Sequence, residues 1–415
     1  MFGSGMIGTL VVLLAVSVIA RESPLFLLAL ALLVAAGLSR LWERHCLTGV
    51  EYRRSFSRHQ VPYGEEVQLE IEIDNRKLLP LSWLEIEDEI PEEMRPARGK
   101  VYSSHKPGRA LLATLLALRP YEWVRRRYTI PCLVRGEHFF GPVRLRSGDL
   151  FGFVSAERTL DLADSVVVFP RVVPLTELGL PARQPLGDLR ANSWIFEDPS
   201  RIAGAREYRP GDSLKRIHWP ASVRTGQLQS RVYEATTSHK LMIFLNLSTA
   251  EVAWSFGYDP DTLELGITTA ASIANWGLER GYQVGLYTNG LHRWRRGDVI
   301  VDAGGDAGQW ERILIALGRL EPLTTMAFQV LLDRYSHRLA YGATVVAVTA
   351  AIHPPVAAAL QGSRARGHAV TAVLTGRLEV GASLPGITVR RVGPPEAWKE
   401  TEGLSMSARP PAVVG

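Results

Sequence analysis

The sequence predicts an α+β multidomain protein with four parts: a transmembrane helical hairpin (residues 1–40), an antiparallel β-sandwich (50–170), a doubly wound α/β domain (190–392) and a disordered tail (393–415). Three observations carry that prediction. Two uncharged apolar runs open the chain, the hydrophobic period then changes to two, and beyond residue 190 short continuous apolar runs alternate with stretches of helical spacing. The 415 residues are 46% hydrophobic and 21% charged, a folded composition long enough for two or three domains of about 150 residues each. Gly and Pro show no fixed period, which excludes collagen-like and repeat architectures.

The hairpin comes first. Met6 to Ala20 is apolar and uncharged, close to the ~20 residues that cross a hydrocarbon core. After Arg21-Glu22-Ser23-Pro24, a shorter run extends from Leu25 to Leu38. A secretory signal is disfavoured because there is no basic n-region or small-x-small cleavage site, and a second apolar run follows at once. Arg40, Arg44, Arg53, Arg54 and Arg58 follow the second run, against Arg21 alone between the two. The positive-inside rule therefore puts both hairpin ends, and all that follows, in the cytoplasm. The basic cluster reads as a partner for anionic lipid headgroups rather than nucleic acid, with Trp42 as an interfacial anchor. The overall balance of 47 Lys+Arg against 42 Asp+Glu is likewise too even for nucleic acid. Cys46 and Cys132, the two cysteines, show no metal or redox spacing, which excludes a disulfide framework and a structural zinc site and points to a reducing compartment.

In the sandwich segment, Val67, Leu69, Ile71 and Ile73 alternate with Gln68, Glu70, Glu72 and Asp74, the pattern of a strand with one buried face. Further strands are expected from Trp83 to Pro91, Leu111 to Leu118, Val124 to Leu133 and Phe139 to Leu145. Arg125-Arg126-Arg127 cannot form one patch on a strand, since neighbours point to opposite faces; it reads as a charged, solvated edge.

After the Pro/Gly-punctuated stretch 170–187, Leu241 to Leu247 is a strand buried on both faces. It leads a series: helix Leu263–Arg280, strand Tyr282–Tyr287, helix Trp310–Leu320, strand Ala343–Val348, helix Pro354–Ala365 and strand Val370–Leu374. That order implies a parallel sheet with right-handed crossovers, whose ligands gather at the carboxyl ends of the strands.

The most distinctive stretch runs from Arg206 to Gly226. Pro210-Gly211 favours a tight turn, Asp212 or Ser213 can cap a short helix, and that helix places Leu214 and Ile217 on one face with Trp219 close by. Arg216 and Arg224 could pair with Glu207 or Asp212, so the segment reads first as a structural bracket. Asp212, His218 and Ser222 could instead form a nucleophilic triad, but no nucleophile elbow or oxyanion hole accompanies them. No catalytic residue is assigned. The string Arg206, Tyr208, Gly211, Asp212, Arg216, Ile217, Trp219 and Arg224 closely resembles the signature of the family called domain of unknown function 58. Arg135-Gly136, Gly141-Pro142 and Gly148-Asp149-Leu-Phe151-Gly152 extend the resemblance. It implies a bacterial or archaeal membrane-associated protein, a C-terminal part similar to the von Willebrand factor A fold, and a MoxR-type AAA+ ATPase as protein partner. That fold often carries an Mg²⁺ adhesion site with a first loop Asp-x-Ser-x-Ser. Here the loop reads Asn246, Ser248 and Ala250, and the later strand ends at Thr349-Ala350, so two carboxylates are missing. Asn246, Ser248 and Thr349 remain as a degenerate metal set, and no cofactor is expected.

No phosphate loop or HExxH helix occurs; His353 reads as a surface or capping group, and Trp254, Trp276 and Trp310 as core or interface residues. The expectation is a non-enzymatic, membrane-anchored cytoplasmic scaffold or adaptor. The alternatives are an envelope-related hydrolase and a metal-dependent adhesion module.

Overall fold

The computed structural model describes residues 4–20, 23–149, 154–176, 196–209, 217–236, 240–249, 259–292, 297–340, 342–377 and 384–394. Among the sequence expectations, Arg21, Phe151, Gly152, Gly211, Asp212, Leu214, Arg216, Ala250, Trp254 and the tail from 395 lie outside them. The chain divides into two compact units, Met1–Phe169 and Pro170–Gly415.

The first unit begins with α1 (Ser4–Ala20), which lies against α2 (Ser23–His45). Among the described residues, α2 is the one helix long and apolar enough to cross a membrane, and it is largely unburied. Eleven strands follow: β1 (Val50–Phe56), β2 (Gln60–Val61), β3 (Glu66–Asn75), β4 (Leu81–Pro91), β5 (Lys100–Ser103), β6 (Arg109–Leu118), β7 (Trp123–Pro131), β8 (Gly136–Phe140), β9 (Val143–Gly148), β10 (Ser155–Leu160) and β11 (Asp164–Val168). They form sheets ordered β1-β3-β7, β10-β9-β4-β6-β5 and β2-β11-β8. Leu69, Ile71 and Ile73 of β3 meet Leu84, Ile86 and Ile90 of β4 and Leu112 of β6 in one core. The alternation expected in β3 therefore faces the core as read, and its outward Glu70 and Glu72 pair across the sheet with Arg125 and Arg127 of edge strand β7 at 2.8–2.9 Å.

Four expectations are corrected here. The pairing is not wholly antiparallel, because β2 runs parallel to β11. The single strand expected from Phe139 to Leu145 is two, β8 and β9, parted at Gly141. Gly141 has φ 94°, and a Cβ there would stand 1.8 Å from the Leu162 carbonyl oxygen, so the strand must break. Arg54 is not a headgroup ligand. Its side chain and that of Asp88 are fully buried: Nη1 donates to Asp88 (2.6 Å), Nε to Asp164 (2.8 Å) and Nη2 to the Phe140 carbonyl (3.1 Å). Tyr52 donates to the other Asp88 oxygen (2.7 Å), and burial with Asp88 beside it pushes the phenol well above its usual range, so it remains a donor. Proximity to an apolar helix misled the reading of Arg54, whose strand position aims it inward. Trp42, finally, packs on the sandwich core and donates to the Gly148 carbonyl (2.9 Å) instead of anchoring at the lipid surface.

Trp42 is one of several attachments that dock the C-terminal end of α2 on the sandwich. Ser39 donates to the buried Asp149 carboxylate (3.0 Å), whose other oxygen accepts from Val154 N (3.1 Å), and Cys46 contacts the Ser147 carbonyl.

In the second unit, the ribbon β12 (Phe196–Glu207) and β13 (Gln229–Thr236) flanks α3 (Trp219–Thr225). The α/β part then runs β14 (Lys240–Leu245), α4 (Pro260–Glu279), β15 (Gln283–Thr288), β16 (Gly290–His292), β17 (Val299–Gly304), α5 (Gln309–Gly318), β18 (Leu320–Thr324), α6 (Phe328–Ser336), β19 (Thr344–Thr349), α7 (Pro354–Ala365), β20 (Ala369–Leu374) and β21 (Thr388–Arg391). The main sheet is ordered β17-β15-β14-β19-β20-β21, parallel except for β17. Leu241, Ile243 and Leu245 of β14 pack against α4 and α5, while Met242 and Phe244 pack on the other face against α6 and α7. Helices therefore cover both faces, which is why β14 reads as an unbroken apolar run. The chain winds from β14 to β15 on one side and to β19 on the other, so the topological switch lies between β14 and β19.

Among the described residues each unit holds one buried histidine. His138 donates to the Val134 carbonyl (2.8 Å) and His368 to the Ser336 carbonyl (3.2 Å); burial holds both rings below 6.5. The fold thus favours the neutral ring. Its contribution is complete above pH 6.5 and is lost as pH falls through the depressed folded values. The denaturation midpoint is expected to fall as the pH is lowered below 6.5; a flat profile on the acid side of 6.5 would contradict the assignment.

Candidate functional site

The signature segment is built from both ends of the β12–β13 ribbon. Ile217 is buried and bridges to Ser230, Tyr208 N donates to the Leu228 carbonyl (2.9 Å), and His218 N donates to the Gln229 carbonyl (2.7 Å). His218 caps α3: its Nδ1 accepts from Ala221 N (3.1 Å). Ser222 accepts from Gln229 N (2.8 Å) and donates to the His218 carbonyl (3.0 Å). Gly226 closes the helix at φ 69°, a left-handed position that suits glycine. His218 and Ser222 are thus both committed to backbone groups, and the serine hydroxyl faces a carbonyl rather than the imidazole that a triad needs.

Trp219 does not pack with Ile217 as the bracket reading expects. It is 62% exposed, and Val223, one turn on, is 82% exposed. The start of a short helix carries Trp219 outward while Ile217, still on the strand bridge, points in. Leu228 adds a third exposed apolar side chain, and Arg206, Arg209 and Arg224 are exposed around it. Among the described residues Arg224 makes no ion pair with Glu207, although Arg206 donates to the Glu207 carbonyl (3.1 Å). Val223 and Leu228 escaped sequence reasoning because a lone Val or Leu carries no signal of exposure.

At the switch point the three candidate metal residues do come together, but in a hydrogen-bond network. Asn246 Nδ2 donates to Thr349 Oγ1 (3.0 Å), while its Oδ1 accepts from Ser248 N (3.1 Å) and from Asn289 Nδ2 (2.9 Å). Thr349 donates onward to the Ala351 carbonyl (3.0 Å), and Asn289 Oδ1 accepts from Leu247 N (2.9 Å). Asp259, which begins the described chain beyond this loop, caps α4 through Asp261 N (3.2 Å). Among the described residues no group of three or more His, Cys, Asp or Glu gathers anywhere. The donor set of the described residues does not fit Mg²⁺: no carboxylate among them is bonded to Asn246, Ser248 or Thr349, and an amide nitrogen donor occupies the Asn246 oxygen. Titration with Mg²⁺ or Mn²⁺ is expected to give no binding heat; a saturable heat would overturn that conclusion. Asn289 was missed in the sequence, where its position just after a strand, in Thr288-Asn289-Gly290, was the available signal.

The fold and the signature define a mixed α/β protein with an apolar N-terminal helix and a signature-bearing C-terminal unit. Residues 204–402 match the family described as protein of unknown function DUF58. The chain is 25% identical over 274 residues to the uncharacterized protein YeaD of Bacillus subtilis (strain 168), across 65% of this chain. It spans 62% of that relative's length. Among solved structures it is similar to a CARDB domain from Pyrococcus furiosus in complex with di-metal ions (12% identity, 29% of this chain and 84% of that one, TM-score 0.18). It is also similar to a cohesin module from a Clostridium perfringens family 33 glycoside hydrolase (13%, 29% and 97%, TM-score 0.20). A β-glucosidase from Listeria innocua in complex with isofagomine gives 15% identity, 29% and 16% coverage and a TM-score of 0.19. Superpositions this poor carry no argument.

Proposed function

We propose that the chain is a membrane-anchored cytoplasmic scaffold whose signature segment docks a protein partner, a MoxR-type AAA+ ATPase. In this reading α1 and α2 form a two-span hairpin, both soluble units lie in the cytoplasm, and the α/β unit is of von Willebrand factor A type. The doubly wound sheet order, with Asn246 and Ser248 in the loop after its first strand, supports that last assignment. The observation that carries the docking role is the exposure of Trp219 and Val223 within the family signature. A buried Trp would serve the fold, whereas an exposed one on a helix fixed at both ends by backbone hydrogen bonds serves a contact. Tryptophan and arginine dominate binding energy at protein interfaces.

Trp219→Ala is expected to leave stability within about 0.5 kcal/mol of the parent, as for other surface substitutions. Affinity for the ATPase should fall by about 2 kcal/mol or more, roughly thirtyfold, as at an interface hot spot. Affinity capture of the ATPase by the full chain, with and without ATP and Mg²⁺, compares the two proteins; equal retention by both would remove the signature from the interface.

A further inference from the structure

The end of the β-sandwich that receives α2 carries an apolar and aromatic surface that the fold does not use. Loop 76–80 and loop 119–122 are fastened to each other and to the end of α2. Tyr121 N donates to the Lys77 carbonyl (3.3 Å), and the Asn75 side chain donates to the Leu79 (3.1 Å) and Arg119 (2.8 Å) carbonyls. Arg76 N donates to the Gly49 carbonyl (2.9 Å), while Lys77 Nζ donates to the carbonyls of Cys46 and of Thr48 (2.8 Å). That ammonium closes the C-terminal end of the helix, where carbonyls lack intrahelical partners.

From this fastened pair of loops Leu78 projects at 74% exposure, Tyr121 at 68% and Trp123 at 50%. The hydrogen bond from Tyr121 to Lys77 sets the tyrosine beside Leu78, and Trp123 follows two residues later at the start of β7, its ring under the Arg125 guanidinium at 4.7 Å. Among the described residues Tyr121 is the one non-glycine with positive φ, at 55°. A Gly or Asn would fit that backbone more easily, so the turn itself does not call for a tyrosine.

We infer that Leu78, Tyr121 and Trp123 form a second membrane contact, inserting into the headgroup layer of a phospholipid bilayer beside the exit of α2. This rests on the reading of α2 as a membrane span. Cys46 lies eight positions beyond Leu38, the last residue of the apolar run. An upright helix rises about 12 Å over that length and a tilted one less, comparable with the headgroup layer plus the reach of a side chain. Amphipathic aromatic rings favour that layer because one part is apolar and another hydrated. Arg44 and Arg119, both exposed at the same end, add attraction for anionic lipid. A folded protein partner would need this patch clear of the bilayer, whereas the docked end of α2 holds it close.

The test uses the full chain in phosphatidylcholine/phosphatidylglycerol vesicles, with one fluorescent label at Leu78→Cys, Tyr121→Cys, Leu133→Cys or Leu30→Cys. The native Cys46 and Cys132 are buried, so the unsubstituted chain sets the labelling background. Leu133 is 52% exposed beyond the far end of β7, about 26 Å from Trp123 along the strand, and serves as the aqueous reference. Leu30 marks α2 itself. Labels at 78 and 121 are expected to be quenched several-fold more strongly than the label at 133 by lipids brominated near the headgroup, and several-fold more weakly by aqueous iodide. If both behave like position 133 while position 30 is quenched by bromolipid, the second contact is wrong and the span stands. If position 30 also behaves like 133, span and contact fall together. Should Tyr121→Cys not fold, the Leu78→Cys label alone decides.

Discussion

Arg54→Ala is expected to destabilise the β-sandwich by about 3–5 kcal/mol, the range for removing one partner of a buried ion pair. The alanine leaves two carboxylates, Asp88 and Asp164, without their shared cation, and Asp88 has no solvent to turn to. It also removes the Nη2 donor from the Phe140 carbonyl. Arg53, its neighbour, has a side chain 65% exposed and among the described residues pairs with Glu51 alone, so Arg53→Ala should cost no more than about 1 kcal/mol. Arg54→Lys keeps the charge but replaces a planar fork with a point donor, and should fall between the two. Urea denaturation of the three variants gives the order; an Arg54→Ala cost as small as that of Arg53→Ala would mean that the buried network does not form.

The second large effect is expected at Gly141. Alanine there brings Cβ to 1.8 Å from the Leu162 carbonyl oxygen, a backbone atom that cannot swing aside, at φ 94°. The loop is also held from several directions. Gly141 N donates to the Glu89 carbonyl (2.7 Å), Arg54 binds the Phe140 carbonyl, and Arg109 binds the Phe139 and Gly141 carbonyls. Relief requires moving all of these together, so the loss should exceed about 4 kcal/mol, the range reserved for a named steric cause. Gly108→Ala is the control: φ is 70° with open space around the position, so only the backbone penalty of about 1–2 kcal/mol applies. Equal losses at the two positions would refute the steric account.

Glu89 adds a pH signature to the same region. Burial alone would raise its carboxyl, but hydrogen bonds from Lys106 and Arg109 outweigh burial and hold it below the usual carboxylate range. Its contribution is present above the unfolded carboxylate value and is lost as pH falls through the folded one.

The sequence was most legible where burial is complete on both sides. The run Leu241–Leu247 read as a central strand and β14 covers Lys240–Leu245, while Pro354–Ala365 has the bounds read from Pro-Pro at its start. Alternation in β3 was equally clear because every second residue is polar. Less legible were elements whose apolar surface is small: the β12–β13 ribbon, rich in polar residues, and the short α6, whose buried stripe is only Phe328, Leu331, Leu332, Tyr335 and Ser336. At the candidate site the pattern supplied the residues but not their directions. Ile217 and Trp219 are two positions apart, yet one is buried and the other exposed, because a strand bridge ends and a helix starts between them. Arg54 inverted the expectation for a related reason, since its destination depends on Asp88 and Asp164, far along the chain.

The clamp on α2 has a mechanical consequence. Ser39, Trp42 and Cys46 fasten the helix to the sandwich at three heights along about 10 Å of its axis, and three staggered fixings leave no swivel. Helix and sandwich must turn as one lever, with no slack at the joint. A tilt of the helix by a given angle swings the far end of the sandwich through the same angle, so torque applied at either end reaches the other undamped.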